Sequence, residues 1–432
     1  MNKNKIFDIC EKFAKKEKVE FIYSDVYSCS AKIESFDISK INNQEASGLM
    51  IRAIVDGYSG YTTITDITEK NIKDAIEKAK KIAKLKKGIK IKEFGSEISN
   101  SKSKFDKRIL DYDISEEFAE IKKNLTKDRY FKSYEGGLSW HKVYSFYINP
   151  HTFKEEENGF VSGGITINTF DKKASSAGDS QVFTRIKDID FIKTINKAKA
   201  NANNTLNPVQ GEKGEYTLIF SPGASAELIS SFIIHPTIGE MMFKKQTYLS
   251  DSLGKSLFSK NLTITEDPQL DYFSNSESID DEGFKTSKKD IIRNGVFKTS
   301  IYDQEYSILS GKKPTGNGFR GGIYSPIDCH FTNLLVAPGK EKLKDIISKT
   351  KKGIYVYDVM GLHTSNMTNG EFSLTINSGK EIVAGKYKNT ITNLNFAGNC
   401  KTAFKNLEFT KEQKFFGSSM VPGMVLPKVK LI

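Results

Sequence analysis

The sequence predicts an α+β protein. We expect an N-terminal α/β-type domain, with helices on a mainly antiparallel sheet, followed by a β-rich C-terminal domain. Two observations predict this class. In the first half, a few amphipathic segments alternate with groups of short strand-like segments joined by turn residues. In the second half, glycines recur at short intervals among strand-like segments, without a fixed repeat. A chain of 432 residues has room for two domains.

The first 90 residues predict a helix, several strands and a second helix. Ile6, Ile9, Cys10 and Phe13 share one face at helical spacing, which predicts a helix over about residues 4–17. The second helix is expected from about Asp66, where isoleucines and alanines again recur at helical spacing. Between the two helices, the sequence predicts strands over residues 19–28, 31–39 and 48–55, a turn over 57–60 and a strand over 61–65.

The middle of the chain predicts a loop, a helix, strands and another helix. The loop covers residues 95–107, and the next helix begins with Ser115 as its N-cap and ends near residue 127. Apolar residues at helical spacing over residues 189–198 predict the last helix of this part. Strands are predicted over residues 129–134, 138–148 and 160–170.

A domain boundary is predicted within residues 201–214, where asparagine, proline and glycine replace nearly all apolar residues. We therefore expect one domain over residues 1–205 and a second over 215–432. The second domain begins with a short apolar strand, residues 216–220, and a turn that leads into a helix over residues 224–234.

Cysteine usage and hydropathy limit where the protein acts. Four widely spaced cysteines, none in a CxxC pair, exclude a disulfide scaffold and a zinc-ribbon module and favour a reducing compartment. No apolar run reaches the roughly 18 residues of a membrane-spanning helix. Asp8 and Glu11 interrupt the apolar core that a signal peptide needs. We expect a cytoplasmic protein without a membrane partner.

The basic charge does not indicate a specific partner. The chain carries 65 basic and 53 acidic side chains, a formal charge of +12. The densest basic stretch, residues 78–92, closes the second predicted helix, where lysines complement the helix dipole and stay solvated. Arginines suited to base recognition are few, and no zinc finger, basic zipper or RNA-recognition motif is present. Nucleic acid is therefore not expected as a partner, although the charge leaves a nucleic-acid-associated role open as an alternative.

Motifs for several other chemistries are incomplete. Residues 254–256 end like a phosphate-binding loop, but a leucine stands where the first glycine is required. Cys329 and His330 are adjacent, so on a strand they point to opposite faces and cannot pair as nucleophile and base. The acidic clusters at residues 266–267 and 280–282 could hold a hard cation, but acids before proline or glycine more often form turns. We interpret both clusters as turns.

The most informative segment is residues 234–240, with the sequence IHPTIGE. A zinc peptidase needs nitrogen ligands on adjoining helical turns and a glutamate that deprotonates the attacking water. Here His235 offers one nitrogen ligand and Glu240 an oxygen ligand, while Pro236 stands where an HExxH-like motif has its glutamate. Proline disfavours helical geometry at the preceding residue, so we do not expect His235 and Glu240 on one continuous helix. These two residues are the candidate metal ligands, and no catalytic residue is assigned.

A series of short motifs runs through nearly the whole chain. The N-terminal part contains GLMIRA at residues 48–53 and GYSGY at residues 57–61. The C-terminal part contains, in order, SPGASAEL at 221–228, LTITEDP at 262–268, DDEG at 280–283, GVFK at 295–298, TGNGFR at 315–320 and NGEFS at 369–373. In order and spacing, these segments resemble the TldD/PmbA family, which also carries the label of modulators of DNA gyrase.

The resemblance implies a two-domain cytoplasmic protein that is related to peptide-cleaving enzymes and forms a dimer. In the TldD branch, an HExxxH motif and a late cysteine bind zinc. By position, His235 matches the first histidine, Pro236 the glutamate and Glu240 the second histidine. Residues 417–420, GSSM, stand where the cysteine is expected, and Cys400 belongs to a different segment. The chain is thus more similar to the PmbA (TldE) branch, which lacks the zinc motif and pairs with a TldD-type subunit.

Three functions follow from these observations as hypotheses. The favoured one is a non-catalytic subunit that binds peptide or unfolded polypeptide and supports proteolysis by a zinc-bearing partner, as a homodimer or as a heterodimer with a TldD-type subunit. No cofactor is then expected, and zinc is possible only if the altered site binds metal. The first alternative is an active metallopeptidase, a peptide-bond hydrolase that uses His235, Glu240 and a distant third ligand. The second alternative is a nucleic-acid- or gyrase-associated modulator.

Overall fold

The computed structural model describes residues 2–86, 89–91, 94–96 and 104–432. It confirms the predicted α+β class. An antiparallel sheet with helices forms the N-terminal region, and the C-terminal region is rich in strands. Among the described residues, no helix is long and apolar enough to cross a membrane.

One antiparallel sheet forms the centre of the N-terminal region. The described residues contribute β1 Val19–Ser35, β2 Asp37–Val55, β3 Tyr58–Ile64, β4 Phe131–Ile148, β5 Phe153–Phe170 and β6 Ala174–Phe183. Their order across the sheet is β3-β2-β1-β4-β5-β6. The first and fourth strands therefore lie side by side in its middle, although about 100 residues separate them in the sequence.

Helices pack on this sheet in two groups. The helices are α1 Lys3–Glu17, α2 Glu69–Leu85, α3 Phe118–Asn124 and α4 Phe191–Asn204. Helices α1 and α2 share an apolar core with β1 and β2, in which Phe13, Phe21 and Ile76 are buried. Helices α3 and α4 share a second core with β4 and β5, in which Ile121 and Ile165 are buried. The long sheet thus carries one core at each end.

The strands are longer than the sequence patterns predicted. The predicted strands 19–28 and 31–39 form a single strand up to the turn at Phe36, and residues 40–47 lie within β2, paired with β1. Similarly, β4 continues through Gly136 and Gly137, between two predicted strands. Most side chains at residues 37–47 are exposed. A strand exposed on both faces has no apolar alternation, which is why the pattern failed there.

One smaller prediction is wrong, one strand was not predicted, and one predicted loop is only partly covered by the described residues. Ser115 is not an N-cap, because it lies in the 3-10 turn Ile114–Glu117 and its backbone N–H donates to Asp113 Oδ1 at 2.8 Å. Strand β6 was not predicted, since its sequence ASSAGDSQVF is small and polar. Residues 97–103 of the predicted loop lie outside the described part of the chain.

The C-terminal region contains the larger sheet. Its helices are α5 Pro222–Ile229, α6 Gly239–Phe243, α7 Gln304–Leu309, α8 Leu343–Lys349 and α9 Cys400–Ala403. The strands are β7 Val209–Gln210, β8 Gly214–Phe220, β9 Ile264–Glu266, β10 Lys289–Arg293, β11 Val296–Phe297, β12 Gly318–Arg320, β13 Ile327–Cys329, β14 Leu334–Val336, β15 Lys352–Met360, β16 Glu371–Val383, β17 Lys386–Thr392, β18 Leu394–Asn399, β19 Glu408–Phe415 and β20 Ser419–Leu431.

Some of these strands close into a ring, which we call the strand ring. Strand β20 pairs with β8, β8 with β15, β15 with β16, β16 with β18, and β18 returns to β20. Within the described residues, this last pair is in register at Phe396 and Leu431 alone, next to Asn395 and Ile432, which exchange backbone hydrogen bonds. The ring is therefore closed weakly at one seam.

The segment predicted as a domain boundary connects α4 to β8. Helix α4 ends at Asn204, and β7 then pairs in parallel with β17 of the C-terminal sheet. Asn204 also accepts hydrogen bonds through its backbone carbonyl from Lys380 Nζ at 2.9 Å and Thr390 Oγ1 at 3.0 Å. The connection is thus held against the C-terminal sheet along part of its length.

Candidate functional site

Residues 234–240, which we call the zinc-like segment because they resemble a zinc-binding motif, lie where one helix ends and another begins. Helix α5 is capped by Ser221 and continues as a π-helical turn over Ser230–Ile234 and a 3-10 turn over His235–Thr237. His235 keeps helical backbone angles, with φ −54° and ψ −42°. The chain turns extended at Ile238, where ψ is 136°, and α6 begins at Gly239.

His235 and Glu240 therefore lie on separate helices, as expected, but the expected reason is wrong. The proline does not displace His235 from helical geometry, because the break falls two residues after Pro236. Thr237 stabilises the end of the turn by donating its hydroxyl to the backbone carbonyl of Ile234 at 2.7 Å. The structure thus separates the two candidate ligands by an extended residue rather than by a kink at the proline.

Close packing fixes where α6 begins. The backbone N–H of Gly239 donates to the carbonyl of Ile301 at 2.8 Å. A Cβ atom at position 239 would lie 2.3 Å from the aromatic ring of Tyr302, which real side chains do not tolerate. Glycine is therefore required at this position by contact with a neighbouring segment.

The carboxylate of Glu240 is already occupied by the protein's own donors. Its Oε1 atom forms an ion pair with the Lys244 ammonium group and accepts a hydrogen bond from the Tyr306 hydroxyl at 2.9 Å. The hydrogen bond from Lys244 lowers the pKa of Glu240, with smaller contributions from Tyr306 and His235. Glu240 is thus an ionised carboxylate whose negative charge is balanced by the Lys244 ammonium group.

The residues of this segment do not fit a zinc centre. Zinc sites in proteins use three or four nitrogen, sulfur or oxygen ligands converging on one point. Among the residues that the structure describes, no group of three or more His, Cys, Asp and Glu side chains could hold a metal ion. His235 is exposed, and Glu240 Oε1 is engaged by Lys244 and Tyr306. One imidazole and one neutralised carboxylate are too few.

The positions where the cysteine ligand was considered do not complete a set. Residues 417–420 cover the end of the turn between β19 and β20 and the first two residues of β20, and they contain no thiol. The carbonyl of Ser418 accepts from the backbone N–H of Leu334 at 2.9 Å. Cys400 is buried beside Tyr248, and burial raises the pKa of its thiol to about 12. It belongs to the apolar core of the C-terminal region.

A second cluster of functional groups lies buried between the two regions, and we call it the Arg52 network. The guanidinium of Arg52 on β2 donates to Glu20 Oε2 at 2.8 Å and to Glu282 Oε1 at 3.0 Å. The Tyr147 hydroxyl donates to Glu20 at 3.0 Å, and Arg52 also donates to Gln304 Oε1 at 3.2 Å. All five side chains are buried.

Burial dominates the electrostatics of this network. It raises the pKa of Glu20 and raises that of Glu282 to about 7, because a carboxylate loses hydration on leaving water. The positive charge of Arg52 opposes both shifts. Since none of these groups reaches solvent, the network acts as a polar bond between the N-terminal and C-terminal regions and offers no open site for a substrate.

The acidic clusters are turns only in part. Asp280 forms a turn as predicted, with its carboxylate accepting from the backbone N–H groups of Glu282, Phe284 and Gly318 at 2.9–3.0 Å. Asp267 likewise accepts from the backbone N–H of Gln269 at 3.1 Å. The turn interpretation is wrong for the glutamates. Glu282 joins the Arg52 network, and Glu266 accepts from Thr332 and Asn317 and pairs with Lys289 at 2.9 Å.

Sequence analysis missed the Arg52 network, although a signal for it exists. Glu20 and Arg52 are single charges within otherwise apolar strand segments, VEFIY and LMIRAIV. A fully buried charge is rare unless it is paired, so two opposite charges of this kind predict a buried pair. The two residues lie directly opposite each other in the β1–β2 register. Glu282 lies in the acidic run DDEG and not in an apolar strand, so the sequence does not indicate that it belongs to the Arg52 network.

Comparison with known proteins identifies the family of the chain. The PmbA/TldA metallopeptidase C-terminal domain matches residues 213–432, and the PmbA/TldA metallopeptidase domain 1 matches residues 19–83. The first of these matches alone covers about half of the chain.

Individual relatives extend over most of the sequence. A metalloprotease PmbA homologue of Haemophilus influenzae is 23% identical over 92% of this chain and 88% of its own. A zinc metalloprotease TldD homologue of Saccharolobus solfataricus is 26% identical over 64% of each chain. The crystal structure of TldE from Thermococcus kodakarensis covers 99% of each chain, with a TM-score of 0.89 and 25% identity. The chain belongs to the PmbA/TldD family of metallopeptidase-related proteins.

Proposed function

We propose that this chain is a non-catalytic, peptide-binding subunit that supports proteolysis by a zinc-bearing partner of the same family. The single observation that carries the proposal is Pro236 at the position of the catalytic glutamate. Proline has no side-chain group that accepts a proton from water. Position 236 therefore supplies no general base to deprotonate the attacking water. A metal bound here would therefore lack its general base.

The state of Glu240 supports the same proposal. A ligand to zinc must give its lone pairs to the metal, but Glu240 Oε1 already accepts from Lys244 and Tyr306. If a metal ion replaced these donors on Glu240, the Lys244 ammonium group would lose its ion pair with Glu240 and would lie beside a second positive charge. Repulsion between like charges makes that exchange unfavourable.

The proposed partner is a TldD-type subunit that carries a complete zinc motif. The structural neighbour from Thermococcus kodakarensis bears the name TldE, which supports a place for this chain on the PmbA (TldE) side of the family. A homodimer of this chain would contain two copies of the altered segment. A heterodimer would contain one intact motif, so we propose the heterodimer as the proteolytic form.

The proposal is tested by measuring zinc and cleavage in parallel. The purified chain should contain far less than one zinc per chain by elemental analysis and should not cleave unfolded polypeptide alone. Mixed with a TldD-type subunit, it should increase cleavage over that of the partner alone. His235→Ala serves as the control and should leave the activity of the mixture unchanged. Stoichiometric zinc together with cleavage by the pure chain that is lost in His235→Ala would favour the active metallopeptidase instead.

A further inference from the structure

A cleft of about 710 Å³ lies at the seam of the strand ring, away from the zinc-like segment. It is bordered by β18, by α9 and the residues after it, and by the last part of β20. Its apolar lining includes Phe372, Phe396 and Leu407. Three lysines also line it, Lys405, Lys428 and Lys430.

The cleft exists because the edge of β20 lacks a partner over a short stretch. On this edge, β19 stays in register up to the pair Glu408 and Val425, and β18 joins at Leu431. Residues 426–430 lie between these two ladders. Pro427 has no backbone N–H, and Lys428 is left-handed with φ 55°. Both features prevent β18 and β19 from continuing along β20.

The opposite wall presents a strand edge. Asn395 of β18 exchanges backbone hydrogen bonds with Ile432, so its N–H and C=O point toward β20. Residues two apart on a strand point their backbone groups the same way, so those of Ala397 face this side as well. The edge ends at Asn399, which caps α9 and accepts from Thr402 Oγ1 through its backbone carbonyl at 3.0 Å. Within the described residues, no further register with β20 extends along this edge. An extended chain segment has backbone groups that match such an edge.

The charged side chains around this cleft favour ligands with negative charge. The three lysine side chains are exposed, and none has a carboxylate partner among the described residues. Glu408 is the one acidic side chain in the lining. The rim therefore presents a net positive charge above an apolar floor of Phe372 and Phe396. A ligand complementary to this arrangement combines an apolar side chain with neighbouring carboxylates.

We infer that this cleft binds an acidic peptide segment in an extended conformation, with an apolar side chain on the Phe396 floor and carboxylates toward Lys405, Lys428 and Lys430. This inference rests on the proposed function and assigns both the place on this chain where the peptide binds and the class of peptide. It makes the chain the selecting subunit, because an acidic segment is held here while the partner cleaves elsewhere along the same polypeptide.

The test is fluorescence anisotropy with the full chain and two labelled dodecapeptides. One peptide places aspartate and glutamate around a central phenylalanine, and the other replaces every acid by lysine. We expect the acidic peptide to bind about tenfold more tightly or better, a difference that shrinks in high salt. Equal binding of the two peptides would overturn the inference.

Variants locate the binding on the chain. Lys405→Glu combined with Lys430→Glu should weaken binding of the acidic peptide about tenfold. Lys187→Glu is the matched control, because Lys187 is exposed in the N-terminal region and does not line the cleft. Ala397→Trp should weaken binding of both peptides by filling the cleft, and its melting temperature reports whether it is folded.

The outcomes separate the two proposals. If the wild-type chain binds the acidic peptide and the cleft variants bind it equally well, the cleft is wrong while a peptide-binding subunit survives. If the wild-type chain binds neither peptide and does not increase cleavage by a TldD-type partner, both proposals fail.

Discussion

Arg52 and Glu282 lie 230 residues apart in the sequence and meet with 3.0 Å between Nη1 and Oε1. Neither side chain is more than 3% exposed. Arg52 belongs to the N-terminal sheet and Glu282 to the DDEG turn of the C-terminal region. Two of the motifs that carry the family resemblance, one from each region, thus meet in one buried ion pair.

The first prediction concerns the loss of the positive charge of Arg52. Arg52→Met should lower the free energy of unfolding by about 3–5 kcal/mol, because Glu20 and Glu282 would remain buried without a counter-charge. Denaturant unfolding measures the change. Arg293→Met is the control, since Arg293 pairs with Asp290 on the surface and its loss should leave the stability nearly unchanged. A stability for Arg52→Met within about 1 kcal/mol of the wild type would show that the network does not join the regions.

Sequence patterns predicted the class of fold because it depends on local features. The first helix is recognisable from four apolar residues on one face, and it spans Lys3–Glu17 in the structure. The proline in the His235–Glu240 segment is likewise visible from adjacent residues. Both are consequences of a few neighbouring residues.

Features that depend on distant contacts could not be predicted. The close approach of Gly239 to Tyr302, next to the break at Ile238, joins residues that lie more than 60 positions apart. The exposed ends of β1 and β2 are held by pairing with each other, which leaves no apolar pattern. The third member of the Arg52 network comes from the other half of the chain. The approach of Gly239 to Tyr302 and the third member of the network are tertiary relationships that no sequence window contains. The β1–β2 hairpin is local, and it escaped prediction because its exposed ends lack an apolar pattern.

The second prediction is a pH dependence that involves Asp303, the N-cap of α7. Burial raises the pKa of Asp303 to about 7 from its ordinary value of 3.8. The folded state therefore binds a proton that the unfolded state has lost between these values. Its contribution to stability is complete below about pH 3.8 and is lost as the pH rises to about 7, by up to about 1.4 kcal/mol per pH unit.

Asp303→Asn tests this directly, because asparagine keeps the cap on the backbone N–H of Tyr306 and cannot titrate. Denaturant unfolding between about pH 5 and pH 8 should show a smaller decrease with pH for this variant than for the wild type. Asp113→Asn is the control: its carboxylate is exposed, hydrogen bonds to Ser115 lower its pKa, and its replacement should leave the slope unchanged. Parallel pH curves for wild type and Asp303→Asn would contradict the prediction.

The third prediction concerns the start of α6. Gly239→Ala should destabilise the fold by about 1–3 kcal/mol, since the added methyl group would overlap the Tyr302 ring and the Ile301 carbonyl. Thermal unfolding measures the loss. In Gly223→Ala the new Cβ would meet nothing nearer than Ser221 Oγ at 3.8 Å, so this helical control should stay within about 1 kcal/mol of the wild type. Equal melting temperatures for the two variants would rule out the contact as the reason for glycine at 239.

The last prediction concerns whether the residues of the zinc motif, placed in this segment by substitution, are sufficient for zinc binding and cleavage. The combined substitution of Pro236→Glu and Glu240→His would give residues 235–240 the pattern HExxxH. We expect this variant to retain more zinc than the wild type after purification, because it has two imidazoles and has lost the Glu240–Lys244 ion pair.

The same variant should still fail to cleave peptide without a partner. The two histidines would lie on either side of the extended residue Ile238, and residues 417–420 supply no thiolate as a third ligand. Elemental analysis and a peptidase assay on the pure variant measure the two properties separately, with His235→Ala in the same background as the control for zinc. Cleavage at the level of a TldD-type subunit would mean that the motif residues alone limit activity. In that case the break in the helix would not limit peptide cleavage by this chain.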